Sequence, residues 1–150
     1  MKLIAVGNQL MRDDGIAIVV AKRLEKQFLH AKLEVLYGET DSEGCFYCLD
    51  PEDSVLILDA MSSGSKPGTI KVYPIKKLLN RPADGSMQHD RSMLDLIKIY
   101  KYPMKGYLIG IETSEIYESF GLSSLLKNQL PEICREVGDW ILKFLEEECE

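Results

Sequence analysis

A chain of 150 residues with 45% apolar and 28% charged side chains has the composition of one folded domain, residues 1–150, with enough apolar material for a core. The net charge of -6 and pI near 5.0 argue against nucleic-acid or anionic-membrane partners, because both need a cationic field on the protein. The N-terminal apolar stretch is too short for a secretory signal, and no run approaches the roughly 20 apolar residues of a membrane span. A cytoplasmic monomer is expected, with its four cysteines kept as thiols.

The run KLIAV (Lys2–Val6) is apolar without alternation, so it reads as a strand buried on both faces and ended by Gly7. After the loop GNQLMRDDG, the stretch GIAIVVAKRLEKQF repeats Ile16, Val20, Leu24 and Phe28 along one helix face. Asp13 or Asp14 can cap that helix, and His30 at its end suits the negative pole of the dipole. KLEVLY (Lys32–Tyr37) is a second strand, and GETDSEG leads into a short helix around CFYCL. SVLILDA has the strongest central-strand pattern, and its apolar run stops at Asp59.

SSGSKPG is a turn-rich loop, and TIKVYP alternates as a half-exposed strand does. NRPADGSMQH reads as a long irregular loop, and DRSMLDLIKIY behind it spaces Met93, Leu94, Ile97 and Tyr100 as a helix would. GYLIGIE is a last buried strand. The closing helix opens at Ser123, continues past Pro131 and carries Ile133, Val137, Trp140, Ile141, Phe144 and Leu145 on one stripe. Strands alternating with helices predict an α/β fold: a three-layer α/β/α arrangement around a mostly parallel, twisted sheet of about five strands. Ligands of such sheets bind at the carboxyl ends of the strands.

Three polar side chains fall at those ends: Asp14 after the first strand, Asp59 at the tip of the central strand, and His89 ahead of a helix. Two carboxylates and an imidazole suit a divalent transition ion such as nickel or zinc and leave coordination positions open. A dication would also convert the repulsion between Asp13 and Asp14 into attraction. Structural explanations stand beside this one. The aspartate pair can serve as a cap and dipole partner, Asp59 can cap a turn, and an isolated histidine is commonly structural or solvated. Cys45 and Cys48 form a CxxC, but Cys134 and Cys149, with fourteen residues between them, do not supply the second pair a structural zinc needs. The chain has neither the GxGxxG or P-loop lysine of a phosphate cradle nor a GxSxG.

In their order and spacing these motifs resemble the hydrogenase maturation endopeptidases, which trim the C-terminal extension from the large subunit of nickel-iron hydrogenases. GNQLMRDDG stands for the family's GNxLxxD(D/E)G, LILDA for its central strand, KPGTI for its PGT turn and SMQH for its histidine loop. GIE, then GLSSLL followed by LPEI, continue the match to the closing helix. The resemblance implies that Asp14, Asp59 and His89 recognise nickel already inserted in the substrate, and that Asp13 is a cap and positioning residue. Ala17 stands where the family usually has glycine, and YGETDSEGCFYC departs from a GGTxG-like turn, which bears on the substrate groove and the hydrogenase served.

The function so implied is a metal-checked endopeptidase acting on a hydrogenase large-subunit precursor, with the nickel carried by the substrate. Catalytic and metal-recognition roles overlap at Asp14, Asp59 and His89. Nickel can serve as template, Lewis acid or hydroxide source; aspartic-type acid/base work by the two carboxylates is the non-metal alternative. A receiver-like signalling domain also uses strand-end acids, although GNQLMR separates Val6 from Asp13 and no lysine follows the last strand. A non-catalytic maturation scaffold of the same fold is the third reading.

Overall fold

A computed structural model describes residues 1–39, 42–50, 52, 54–79 and 105–148. The elements in chain order are β1 (Lys2–Val6), a 3-10 turn (Arg12–Gly15), α1 (Ile16–His30), β2 (Glu34–Gly38), α2 (Ser42–Tyr47) and β3 (Ser54–Met61). They continue with β4 (Ile70–Pro74), α3 (Ile75–Leu79), β5 (Lys105–Glu112) and α4 (Ser124–Glu148). The helix expected over 90–100, the loop before it and His89 lie outside the described residues.

The five strands form one sheet in the order β2-β1-β3-β5-β4. β1 pairs in parallel with β2 and β3, and β3 in parallel with β5. The edge strand β4 runs antiparallel to β5, because a short turn rather than a crossover helix brings the chain back from β3. The mostly parallel sheet read from the sequence is therefore the one observed.

Period-two alternation sorts the strand side chains between two cores. Leu3, Ala5, Leu56, Leu58 and Ile109 pack with α1 and α4, whereas Ile4, Val6, Val55, Ile57 and Leu108 pack with Cys45 and Ile75 from α2 and α3. Both faces are covered, which explains why β1 and β3 read as unbroken apolar runs. All four residues of the predicted α1 face, Ile16, Val20, Leu24 and Phe28, are buried. In α4, Ile133, Val137 and Ile141 are buried, while Trp140 and Phe144 stack at 5.3 Å and each meets Tyr107 of β5 edge-on.

α3 has no counterpart in the sequence reading, since five residues are too few to show a helical period. Cys45 is buried in the smaller core, whereas Cys48 is exposed just beyond the end of α2, so only the first cysteine of the CxxC is packed on the short helix. No helix among the described residues is long and apolar enough to cross a membrane.

Candidate functional site at the strand ends

The loop from β1 to α1 closes on itself through its two terminal glycines. A Cβ on Gly7 would overlap the Asp14 carbonyl oxygen, and one on Gly15 would lie 2.8 Å from the Gln9 Cα. Inside the loop, the Asn8 side-chain carbonyl accepts the Leu10 N–H at 3.0 Å, and the Met11 carbonyl accepts the Asp14 N–H at 3.1 Å. Arg12 takes a left-handed conformation (φ 55°), which is strained for a residue with a Cβ. It is held there by its N–H on the Ser119 carbonyl at 2.9 Å, by Glu115 at 3.4 Å and by Tyr117 beneath its guanidinium.

The adjacent aspartates do different things. Asp13 is fully buried and accepts four hydrogen bonds: from the N–H groups of Ser114, Glu115 and Ser123 and from the Ser123 hydroxyl, at 2.7–3.0 Å. Neither the 3-10 turn nor α1 has a side-chain cap, so the cap expected of Asp13 on α1 is not formed. Its partners lie more than 100 residues downstream, and it fastens the loop to the segment entering α4. Asp14 is 6% exposed, and its Oδ2 accepts the Asn8 N–H at 3.0 Å, which turns the carboxylate toward the mouth of its own loop.

Asp59 is fully buried near the carboxyl end of β3, its Oδ1 accepting the Ala60 N–H at 2.7 Å. The register Ala5↔Leu58 sets Asp59 level with Val6, where β1 gives way to the loop, and the 3-10 turn bearing Asp14 packs against β3. Asp14 and Asp59 thus share the carboxyl end of the sheet, as the sequence predicts. Among the described residues no group of three His, Cys, Asp or Glu side chains is set to hold a metal, and the third predicted ligand, His89, lies outside them.

Glu112, at the end of β5, is a buried acid the sequence reading did not single out. Its carboxylate gathers the N–H groups of Ser63, Gly64 and Ser65 and the Ser63 hydroxyl at 2.8–3.2 Å. The turn that follows Asp59 is therefore folded around a neighbouring strand's side chain. The one sequence signal for it is an acid ending an apolar strand, the same signal that identified Asp59.

Parallel strands whose carboxyl ends carry buried aspartates define an α/β protein with its site in the strand-end crevice. The sequence profile of the family HycI, hydrogenase maturation protease, matches residues 18–140, most of the chain and none of the GNQLMRDDG loop. This chain belongs to the hydrogenase maturation protease family, a family of endopeptidases.

A Methanocaldococcus jannaschii protein described as a candidate hydrogenase maturation protease is 30% identical over 82 residues. That match spans about half of each chain, 52% of this one and 52% of the relative. Among solved structures, the hydrogenase maturating endopeptidase HybD from E. coli superposes with a TM-score of 0.70 at 21% identity, covering 91% of this chain and 88% of that one. The [NiFe] hydrogenase maturation protease HybD from Thermococcus kodakarensis does so at 0.70 and 24% identity, covering 93% and 97%. At these identities the structures share the fold. Membership in the family removes the receiver-like reading.

Proposed function

We propose that this chain is the endopeptidase that removes the C-terminal extension of a nickel-iron hydrogenase large-subunit precursor, acting in the cytoplasm after nickel has been inserted. The observation that carries the reading is the placement of Asp14 and Asp59, two buried carboxylates held by the Asn8 and Ala60 N–H groups at one end of neighbouring parallel strands. Joined by His89, they make a borderline-hard donor set suited to a divalent nickel ion presented by the substrate.

Each group has a definable task. Asp14 and Asp59 supply the negative charge that attracts the dication, and His89 supplies an imidazole nitrogen. The Asn8 and Ala60 N–H groups fix the two carboxylates in place, so little reorganisation accompanies docking. Nickel then acts as a template: the scissile bond is brought into the crevice only when the metal is present.

The test is intact-mass spectrometry of a large-subunit precursor incubated with the protein, nickel-loaded or nickel-free. Loss of a short C-terminal peptide from the loaded precursor alone is expected. Equal cleavage of both forms would overturn the nickel checkpoint, and an uncut loaded precursor would leave a non-catalytic scaffold.

A further inference from the structure

Residues 113–123 run from β5 to α4 alongside the Asp14 loop; Leu122 anchors their end in the core, but the other large apolar side chains of the segment are not buried. Phe120 is 74% exposed, Tyr117 49% and Ile116 41%, while Leu10 of the facing loop is 62% exposed. Ahead of Leu122 the backbone is held by hydrogen bonds. Ser119 donates to the Leu10 carbonyl at 3.0 Å and accepts from the Arg12 N–H at 2.9 Å, forming a short parallel bridge between Met11 and Ser119. Asp13 ties down both ends of the segment, at Ser114 and at Ser123. Leu10 and Phe120 flank the bridge, one residue to either side.

Single exposed leucines are ordinary, but several large apolar side chains on two hydrogen-bonded loop segments mark an interaction surface. This surface and the candidate site are carried by one closed loop, which holds both Leu10 and Asp14. The surface's exposed charge is net negative: Asp13 and Asp14 are buried and Arg12 is paired with Glu115, which leaves the exposed Glu118 as the excess charge within residues 7–15 and 113–123.

We infer that this rim is the docking surface for the precursor segment flanking the scissile bond, an extended stretch that sets apolar side chains against Leu10, Tyr117 and Phe120 and a basic side chain against Glu118. The inference rests on the endopeptidase reading above. Exposed aromatic and leucine side chains supply the contact area, Glu118 selects the approaching charge, and the shared loop delivers the chain to Asp14.

The experiment compares the wild-type protein with Phe120→Ser, Leu10→Ser and Glu118→Lys, measuring processing kinetics and, separately, precursor binding by calorimetry. All three side chains are exposed, so thermal stability should be retained. The expected result is a rise of about tenfold in KM and Kd with kcat nearly unchanged, and wild-type binding that weakens as salt is raised. Unchanged Kd in all three variants would overturn the docking surface. So would a wild-type dimer that Phe120→Ser converts to monomer without changing precursor affinity, since a second copy would then be the occupant. Wild-type binding without cleavage, weakened by the variants, would support the docking surface and sink the endopeptidase reading alone. No wild-type binding would overturn the docking surface itself.

Discussion

Asp13 and Ser123 lie 110 residues apart in sequence and are joined twice, the Ser123 N–H to Asp13 Oδ1 at 2.7 Å and its hydroxyl to Oδ2 at 2.9 Å. The same hydroxyl oxygen accepts the Leu126 N–H at 3.3 Å, the N-cap bond of α4. One serine therefore couples the start of the longest helix to the loop carrying Asp14. Asp13→Ala strands buried N–H donors and should cost about 3 kcal/mol or more. Asp13→Asn should be little better, because its amide NH2 faces groups that already donate. Ser123→Ala loses the cap and one bond to Asp13, for about 1–2 kcal/mol. Denaturant unfolding of both singles and the double should give a coupling of about 1 kcal/mol or more; additive losses would show that the two residues act independently.

Glu112 plays the corresponding part on the other side of Asp59. Its carboxylate holds three consecutive N–H groups, and Thr113 reinforces the join by donating its N–H and its hydroxyl to the Met61 carbonyl. Glu112→Ala should release the turn while the sheet persists. Hydrogen exchange at the Ser63, Gly64 and Ser65 amides should accelerate by about tenfold or more, with β1 and β3 protection little changed. Unaltered exchange in that turn would show that its own backbone is enough to hold it.

A pH effect is expected at Tyr37, near the carboxyl end of the edge strand β2. Tyr37 of β2 donates its hydroxyl to Glu25 of α1 at 3.0 Å, and burial, then the Glu25 hydrogen bond and charge, pushes its ionisation from 10.0 up to about 12. The folded state thus holds this proton more tightly than the unfolded chain does. The resulting stability is complete below about pH 10 and is lost as pH rises through about 12. Melting temperatures of the wild type and Tyr37→Phe should converge over that window. A constant difference between the two across it would contradict the assignment.

Local patterns were enough to reveal what depends on local sequence. The face of α1, the long stripe of α4, the start of that helix after Ser123 and the buried runs of β1 and β3 all follow from periodicity and capping within one element. Asp59 was legible because an acid ending a buried run is anomalous. The jobs of Asp13 and Glu112 were not, because their hydrogen-bond partners come from distant segments and no spacing records them. A cap on α1 was the local solution for Asp13, and a long-range clamp displaced it.

The strand-end acids admit a test that leaves the fold in place. Asp14→Asn and Asp59→Asn can keep the carbonyl acceptors for the Asn8 and Ala60 N–H groups while removing the negative charge. Their melting temperatures should stay within about 3 °C of the wild type. Processing of the nickel-loaded precursor should nevertheless fall by about 100-fold or more, since ligand changes cost at least as much as changes in their supporting partners. His89→Ala should behave alike. The nickel-free precursor, which the wild type is expected to leave uncut, should stay uncut in the variants as well. Activity within about threefold of the wild type in all three variants would remove these residues from the reaction.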